Sequence, residues 1–167
     1  MAPRAHLSVA LALALCAAGA IAAPSPKLLT QQNVSLALAN ELAEATLAAC
    51  HADGRSAVVA IVDRGGNLVA VQRDDSVGPH NTDAARQKAF TALSTKSATR
   101  ELATNARANP DSVNLNTVPS LLLIGGGVPL KAGNEVIGAI GVGGSGGAAN
   151  DEGCALKAIA KVLPISN

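Results

Sequence analysis

Two runs of β-branched residues lie so close together in this chain that they fix how its sheet begins. The run AVVAIVD ends at Asp63, the run LVAVQRD begins at Leu68, and only the four residues RGGN separate them. A parallel pair of strands needs a crossover of roughly a dozen residues, whereas an antiparallel pair can be joined by a short glycine turn. The sequence therefore predicts an antiparallel hairpin over residues 57–74.

Helical and extended patterns alternate over the rest of the chain. We expect three further strands, in the stretches SLLLIGG, GVPL and EVIGAIGV. Apolar spacing and capping residues predict four helices, at residues 30–49, 82–97, 99–106 and 150–162. The first helix would be capped by Thr30 and ended by Asp53-Gly54, and the second capped by Asn81 or Thr82. Hairpins with helices packed on them define an α+β fold, with a five-stranded, mainly antiparallel sheet.

The first 22 residues have the pattern of a secretory signal peptide. Arg4 supplies a short positive region, LSVALALALCAAGA is apolar, and Ala20-Ile-Ala22 offers a small-residue cleavage site. The apolar run is shorter than the roughly 20 residues that a membrane-spanning helix needs. We therefore expect residues 1–22 to be a signal peptide, residues 23–29 a short leader, and residues 30–167 a single domain. The protein would be periplasmic or secreted, without a membrane span.

Charge and aromatic content argue against a nucleic-acid partner. The chain has 13 Lys and Arg and 12 Asp and Glu, and removal of Arg4 with the signal peptide leaves 12 of each. Phe90 is the sole aromatic residue, so no basic stripe and no set of stacking rings is available to a nucleic acid.

The glycine-rich stretch AIGVGGSGGAANDEG matches two functional motifs by letter alone. A dinucleotide site needs a βαβ unit and an acidic residue about 20 positions further on, and no Asp or Glu follows Glu152. A hydrolase nucleophile at Ser145 would need a later histidine, but the last histidine is His80. The stretch therefore indicates a structural turn, with weak anion binding at the next helix as the lesser alternative.

His80 is the polar residue that most favours a binding function. It follows a Gly-Pro turn directly before a helix, where the dipole disfavours the imidazolium and leaves a neutral nitrogen for a metal. Arg73, Arg86 and Lys88 are near it in sequence and are suited to carboxylates. The alternative is a surface histidine beside a solvated charged face. No closed cluster of metal ligands and no pair of carboxylates stands out, so we assign no catalytic residue.

Two cysteines, Cys50 and Cys154, remain after the signal peptide and fall in the first and last predicted helices. If bonded, they would close a loop of about 100 residues, worth roughly 4–5 kcal/mol in the chain-entropy model. An exported protein permits such a bond. Two small buried thiols would fit the same positions, so the sequence leaves both alternatives open.

Five stretches occur in order at compatible spacing: AIVDRGGNLVAVQRDD, GPHNTDAARQKAFTALS, LLIGGGVPL, GNEVIGAIGVGG and DEGCA. Together they resemble the haem-binding GlcG/HbpS-like family, formerly a domain of unknown function, over residues 28–163. The resemblance implies a profilin-like α+β fold with a five-stranded antiparallel sheet and a tendency to form homo-oligomers. It also implies binding of haem or a related tetrapyrrole in some members.

Several residues match one branch of that family. His80 falls in its GPH pattern and Lys88 in its KA-aromatic-TA pattern, with Phe90 at the aromatic position; the branch also shares the two cysteines. From the resemblance we infer haem as the cofactor, with the His80 imidazole on the iron. Arg73, Arg86 or Lys88 would then face the propionates.

Three functions follow as hypotheses. The first is an exported haem-binding protein that scavenges, buffers or senses haem. The second is an accessory protein that binds small carboxylates through the same cations and the glycines Gly125–Gly127. The third is a haem-degrading enzyme, which the sequence supports least because it offers no proton-transfer pair.

Overall fold

The structure, a computed structural model, describes residues 29–163, in which helices and hairpins alternate. The helices are α1 (Leu36–Ala52), α2 (His80–Thr95), α3 (Thr99–Ala108) and α4 (Ala148–Val162). The strands are β1 (Val58–Asp63), β2 (Leu68–Arg73), β3 (Gly127–Ala132) and β4 (Glu135–Gly143). A short 3-10 helix, Val113–Thr117, lies between α3 and β3. From Gln31 onward the described residues belong to one compact unit.

The strands form one antiparallel sheet in the order β2–β1–β4–β3, with the predicted hairpin at one edge. Val58 of β1 is paired with Arg73 of β2 on one side and with Gly143 of β4 on the other. Successive side chains of a strand face opposite sides, so β1 is buried on both faces. Val59 and Ile61 belong to the core shared with α1 and α4. The alternate residues pack under α2: Val58, Ala60 and Val62.

Small residues let α2 lie directly on the sheet. Ala85, Ala89 and Ala92 are fully buried. Gly141 of β4 passes so close to the Ala85 carbonyl oxygen that an added Cβ atom would collide with it. A chain with one aromatic residue thus builds a close-packed core from alanine, glycine and aliphatic side chains, and this packing fixes both ends of α2 relative to the sheet.

The prediction of a fifth strand is wrong, although the α+β class and the antiparallel sheet are confirmed. Apart from the Gly126 carbonyl, which accepts the Val142 N–H of β4 at 2.9 Å, residues 120–126 (SLLLIGG) bond to no strand among the described residues. Their backbone is bonded to side chains instead: the Leu122 N–H donates to Thr91 Oγ1 at 2.8 Å, and Thr99 Oγ1 donates to the Ile124 carbonyl at 2.7 Å. Because hydroxyls of α2 and α3 satisfy these groups, the apolar run needs no neighbouring strand.

The first helix begins later than predicted. Ser35, not Thr30, is its N-cap residue: it has extended backbone angles and its Oγ accepts the Leu38 N–H at 3.2 Å. The preceding Val34 is bound to the sheet, since its N–H donates to a carbonyl of β4. The predicted end is confirmed, because Asp53 is the C-cap residue.

A disulfide bond joins α1 to α4. Cys50 and Cys154 are both buried, and their Cα atoms are 5.3 Å apart. Of the two alternatives that the sequence leaves open, the structure contains the bond. It links two helices that pack together on one face of the sheet and are separated by 104 positions in the chain.

The predicted signal peptide, residues 1–22, and nearly all of the predicted leader lie outside the described residues. Leu29 and Thr30, with which the described chain begins, are exposed and have no regular secondary structure. Between residues 29 and 163, the structure contains no helix with both the length and the apolar character needed to cross a membrane.

Candidate functional site

His80 is the first residue of α2 and lies at the surface. The predicted caps Asn81 and Thr82 are inside the helix, because Pro79 is the N-cap residue and its fixed φ suits the start of a helix. The ring lies beside Gly78, where an added Cβ would be 3.2 Å from His80 Cε1. Within residues 29–163, His51 is the only histidine whose side chain makes a hydrogen bond. Both nitrogens of His80 therefore lack a partner in the described chain.

His51, the other described histidine, is already engaged. Its Nε2 lies 3.0 and 2.9 Å from the two carboxylate oxygens of Asp74. Asp74 also accepts the Ala57 N–H at 2.7 Å. Burial works to raise the pKa of Asp74, but hydrogen bonds from Ala57 and His51 outweigh it and bring that pKa below its ordinary value. The pair connects the end of α1 to the open end of the β1–β2 hairpin, which is a structural role.

Lys88 does not face the surface, which corrects the expectation that it meets a ligand there. Its side chain is 5% exposed, and its Nζ donates to Asp151 Oδ2 at 2.8 Å and to the Val142 carbonyl at 2.9 Å. A buried ammonium is costly unless it is paired and hydrogen-bonded. These two contacts therefore commit Lys88 to holding α2 against β4 and α4.

Arg73 and Arg86 are both exposed and belong to different elements, β2 and α2. At 3.6 residues per turn, Arg86 lies about 120° from His80 around the axis of α2. Its guanidinium is paired with Asp83, at 3.0 Å. Arg73 ends β2, and its side chain makes no hydrogen bond or ion pair with another described residue. Of the two arginines, Arg86 is therefore already paired within α2, whereas the Arg73 side chain has no partner in the described chain.

The glycine-rich stretch is a turn that a carboxylate of the chain itself closes. Gly144, Gly146 and Gly147 have positive φ, a conformation that glycine adopts without strain. Between them, Ser145 donates its N–H and its hydroxyl to Asp151 Oδ1, at 3.0 and 2.5 Å. Asp151 of α4 thereby binds the turn that precedes its own helix. Ser145 is 2% exposed, which leaves it unsuited to act as a nucleophile.

The carboxylate hypothesis invoked Gly125–Gly127, but neighbouring residues of the chain occupy the space beside these glycines. An added Cβ at Gly125 would lie 2.8 Å from the Cβ of Arg100, and one at Gly127 would lie 2.6 Å from Thr99 Cγ2. The Gly127 N–H donates to Thr99 Oγ1 at 2.9 Å. These glycines permit close packing and present no cradle for a carboxylate.

A groove of about 530 Å³ at the other end of α2 is a feature that sequence analysis missed. We call it the α2 C-terminal groove; its walls include Arg64, Phe90, Leu93, Lys96, Glu135 and Val136. Phe90 follows His80 by ten positions, or about 15 Å along the helix, so the groove and His80 are separate places. Phe90, the sole aromatic residue, was the one feature of the sequence that could have indicated the groove. The charged members come from three places far apart in the chain, which no local motif connects: the β1–β2 turn, the end of α2 and the start of β4.

The chain is similar to several known proteins in sequence and in fold. The model of a protein family described as "Haem degrading protein HbpS-like" matches residues 34–160. Protein GlcG of Escherichia coli (strain K12) is 32% identical over 112 residues, which cover 63% of this chain and 80% of GlcG. A double mutant of Streptomyces reticuli HbpS is 35% identical, with a TM-score of 0.77 over 87% of this chain and 98% of that one. The PduOC complex with haem is 26% identical, with a TM-score of 0.70 over 78% and 96%.

The family match spans most of the chain and nearly all of its described residues. The chain therefore belongs to the HbpS-like family, as its five sequence stretches predicted. The solved HbpS structure matches the fold of this chain over most of its length, so the expected α+β class with an antiparallel sheet is confirmed apart from the strand count.

Proposed function

We propose that this protein binds haem through the imidazole of His80. The observation that carries the proposal is the contrast between the two described histidines: the His80 ring is exposed and has no partner between residues 29 and 163, whereas His51 is bound to Asp74. Two comparisons support the ligand, since the family description concerns haem and PduOC, a structural relative, was solved with haem.

The residues at the start of α2 fit a haem group. A histidine nitrogen is a common axial ligand of haem iron, and the partial positive charge at a helix N-terminus favours anionic groups such as propionates. Haem, when bound, would supply an iron centre capable of binding small molecules or exchanging an electron. Among the cations, the exposed Arg73 and Arg86 remain candidates to face propionates, and Lys88 does not.

A hemin titration followed at the Soret band tests the proposal. We expect a shifted band that saturates at one haem per chain, and an affinity at least about tenfold lower in His80→Ala, which corresponds to about 1.4 kcal/mol. His51→Ala is the matched control and should bind hemin like the unmodified protein. Equal affinity in His80→Ala, or an equal loss in His51→Ala, would contradict the assignment.

We further propose that the protein works after export. Residues 1–22 have the signal-peptide pattern, and the buried Cys50–Cys154 disulfide supports an oxidising compartment, where such bonds form and persist. In that location a protein that binds haem reversibly would scavenge it, buffer its concentration or report its level.

Self-association is also proposed, and exposed apolar side chains support it. Val113, Val118 and Ile124 lie in one stretch between α3 and β3 and are 39–50% exposed. Apolar surface of this kind, when contiguous, marks contact sites. A homo-oligomer would cover these side chains, and would be the means by which an arginine of one chain approaches haem on another.

Haem degradation is the second candidate function, and the family description favours it. Hemin-loaded protein given ascorbate or hydrogen peroxide would then lose its Soret band faster than free hemin does. A band that persists under both reagents supports binding alone.

A further inference from the structure

The α2 C-terminal groove has the composition of a ligand site in its own right. Its volume of about 530 Å³ falls in the range of roughly 300–1,000 Å³ that small-molecule sites occupy. Its apolar part consists of Phe90, Leu93 and Val136. Its charged part consists of Arg64, Lys96 and Glu135. Two cations against one carboxylate leave an excess of one positive charge. The groove thus suits an apolar body that carries a single negative group.

Arg64 is held in place before any ligand arrives. Its backbone N–H donates to Asn33 Oδ1 at 2.9 Å, and its Nη1 donates to Glu135 Oε2 at 3.1 Å and to the Val136 carbonyl at 3.2 Å. The Nε and Nη2 groups have no partner among the described residues. A guanidinium fixed in this way offers donors to a carboxylate with little further loss of entropy.

Lys96 stands at a helix end where glycine is the usual residue. It is the C-cap of α2 with a φ of 55°, and in the described chain it is the one non-glycine residue with a positive φ. Glycine adopts this conformation without the steric cost that a side chain brings. A lysine is therefore less stable than a glycine would be at this position. Its exposed ammonium lies at the wall of the groove and has no ion-pair partner in the described chain.

Phe90 supplies the aromatic surface of the groove. An added Cβ at Gly66, where φ is +82°, would lie 2.9 Å from Phe90 Cε2, so the β1–β2 turn packs directly on one side of the ring. The ring is only half-buried, which leaves part of it for a ligand. A flat or aliphatic group against such a ring gains both apolar burial and favourable ring contacts.

We propose that the α2 C-terminal groove binds a small monocarboxylate with an aromatic or aliphatic body, at a site separate from His80. The apolar body lies against Phe90 and Leu93, and the carboxylate lies between Lys96 and Arg64. This site does not depend on haem binding.

The chain provides its own reporter for the test. Phe90 is its sole phenylalanine, so protein labelled with ¹³C-phenylalanine gives NMR signals from this ring alone. We expect 4-phenylbutanoate to shift those signals saturably at millimolar concentrations, and the neutral 4-phenylbutanamide to leave them in place. Unmoved signals, or equal shifts with the amide, would overturn the proposal.

Variants at Lys96 separate binding from folding. Lys96→Gln should weaken 4-phenylbutanoate about tenfold or more, whereas Lys161→Gln, on α4, should not change it. Lys96→Gly should weaken the probe to the same extent and yet raise the thermal midpoint by about 2–4 °C, because glycine suits the cap. Unaltered probe binding in both Lys96 variants would refute the assignment.

The haem proposal and this one can fail independently. The Lys96 variants should keep the hemin titration of the unmodified protein, and His80→Ala should keep the Phe90 shifts. If hemin displaces 4-phenylbutanoate, or if His80→Ala abolishes its binding, the groove is not a separate site and the inference is wrong.

Discussion

Lys88 and Lys96 lie about two turns apart on α2, and their surroundings give the same side chain different roles. Lys88 is buried with Asp151 and the Val142 carbonyl, so its charge holds helices and sheet together. Lys96 is exposed at the helix end, where its charge is available to a ligand. Sequence reasoning selected Lys88 because it is near His80 along the chain. Residue type and spacing do not reveal which face of a helix meets the sheet when the buried residues are mostly alanine.

The Asp74 carboxylate gives a prediction at the same scale. Its pKa is lowered in the folded protein, so its contribution to stability is present above its ordinary unfolded value of about 3.9 and is lost as the pH falls through the lower folded value. We expect Asp74→Asn to lower the free energy of unfolding by about 1–2 kcal/mol at pH 7. The difference between the variant and the unmodified protein should begin to shrink below about pH 4 and should vanish only below the lower folded pKa.

Urea unfolding between pH 7 and pH 3 measures this difference. The control is Asp75→Asn, since the exposed Asp75 carboxylate makes no hydrogen bond with other described residues. A difference that stays constant over the whole pH range would show that the Asp74 charge is not the cause.

Among the elements, those with a strong local signal were predictable and those that depend on distant partners were not. The β1–β2 hairpin and the end of α1 at Asp53 follow from β-branched runs, a glycine turn and a helix-breaking dipeptide. The run SLLLIGG has the composition of a buried strand, but hydroxyls of Thr91 and Thr99 bind its backbone. Nothing local to the run indicates those partners, which lie 25 to 31 positions away.

The disulfide between α1 and α4 gives a prediction at the scale of elements. It closes a loop of 104 positions, so its reduction should lower the free energy of unfolding by roughly 2–5 kcal/mol. Urea unfolding with and without a reductant measures the effect, after equilibration long enough for the buried bond to be reached. The Cys50→Ser/Cys154→Ser variant should be as unstable as the reduced protein and should not respond to reductant. Identical midpoints for reduced and oxidised protein would contradict the prediction.

Over the whole molecule, α2 carries a different candidate site at each end. The sequence indicated His80 as a candidate binding residue, because a histidine after a Gly-Pro turn is a local signal. It did not indicate the groove, because Arg64, Lys96 and Glu135 belong to the β1–β2 turn, the end of α2 and the start of β4, which only the folded sheet brings together. Family membership explains the fold and supports the haem proposal, while the chemistry at each end of α2 depends on this chain's own residues.

The most direct test locates the haem on the molecule. Ferric hemin broadens NMR signals of nearby nuclei, so a ¹⁵N-labelled, ¹³C-phenylalanine-labelled sample reports where the iron lies. We predict broadening of the amide signals around residues 78–84, with the Phe90 ring signals, about 15 Å along the helix from His80, much less affected. Broadening centred on Phe90, or hemin binding that leaves the start of α2 unperturbed, would contradict His80 as the ligand of the iron.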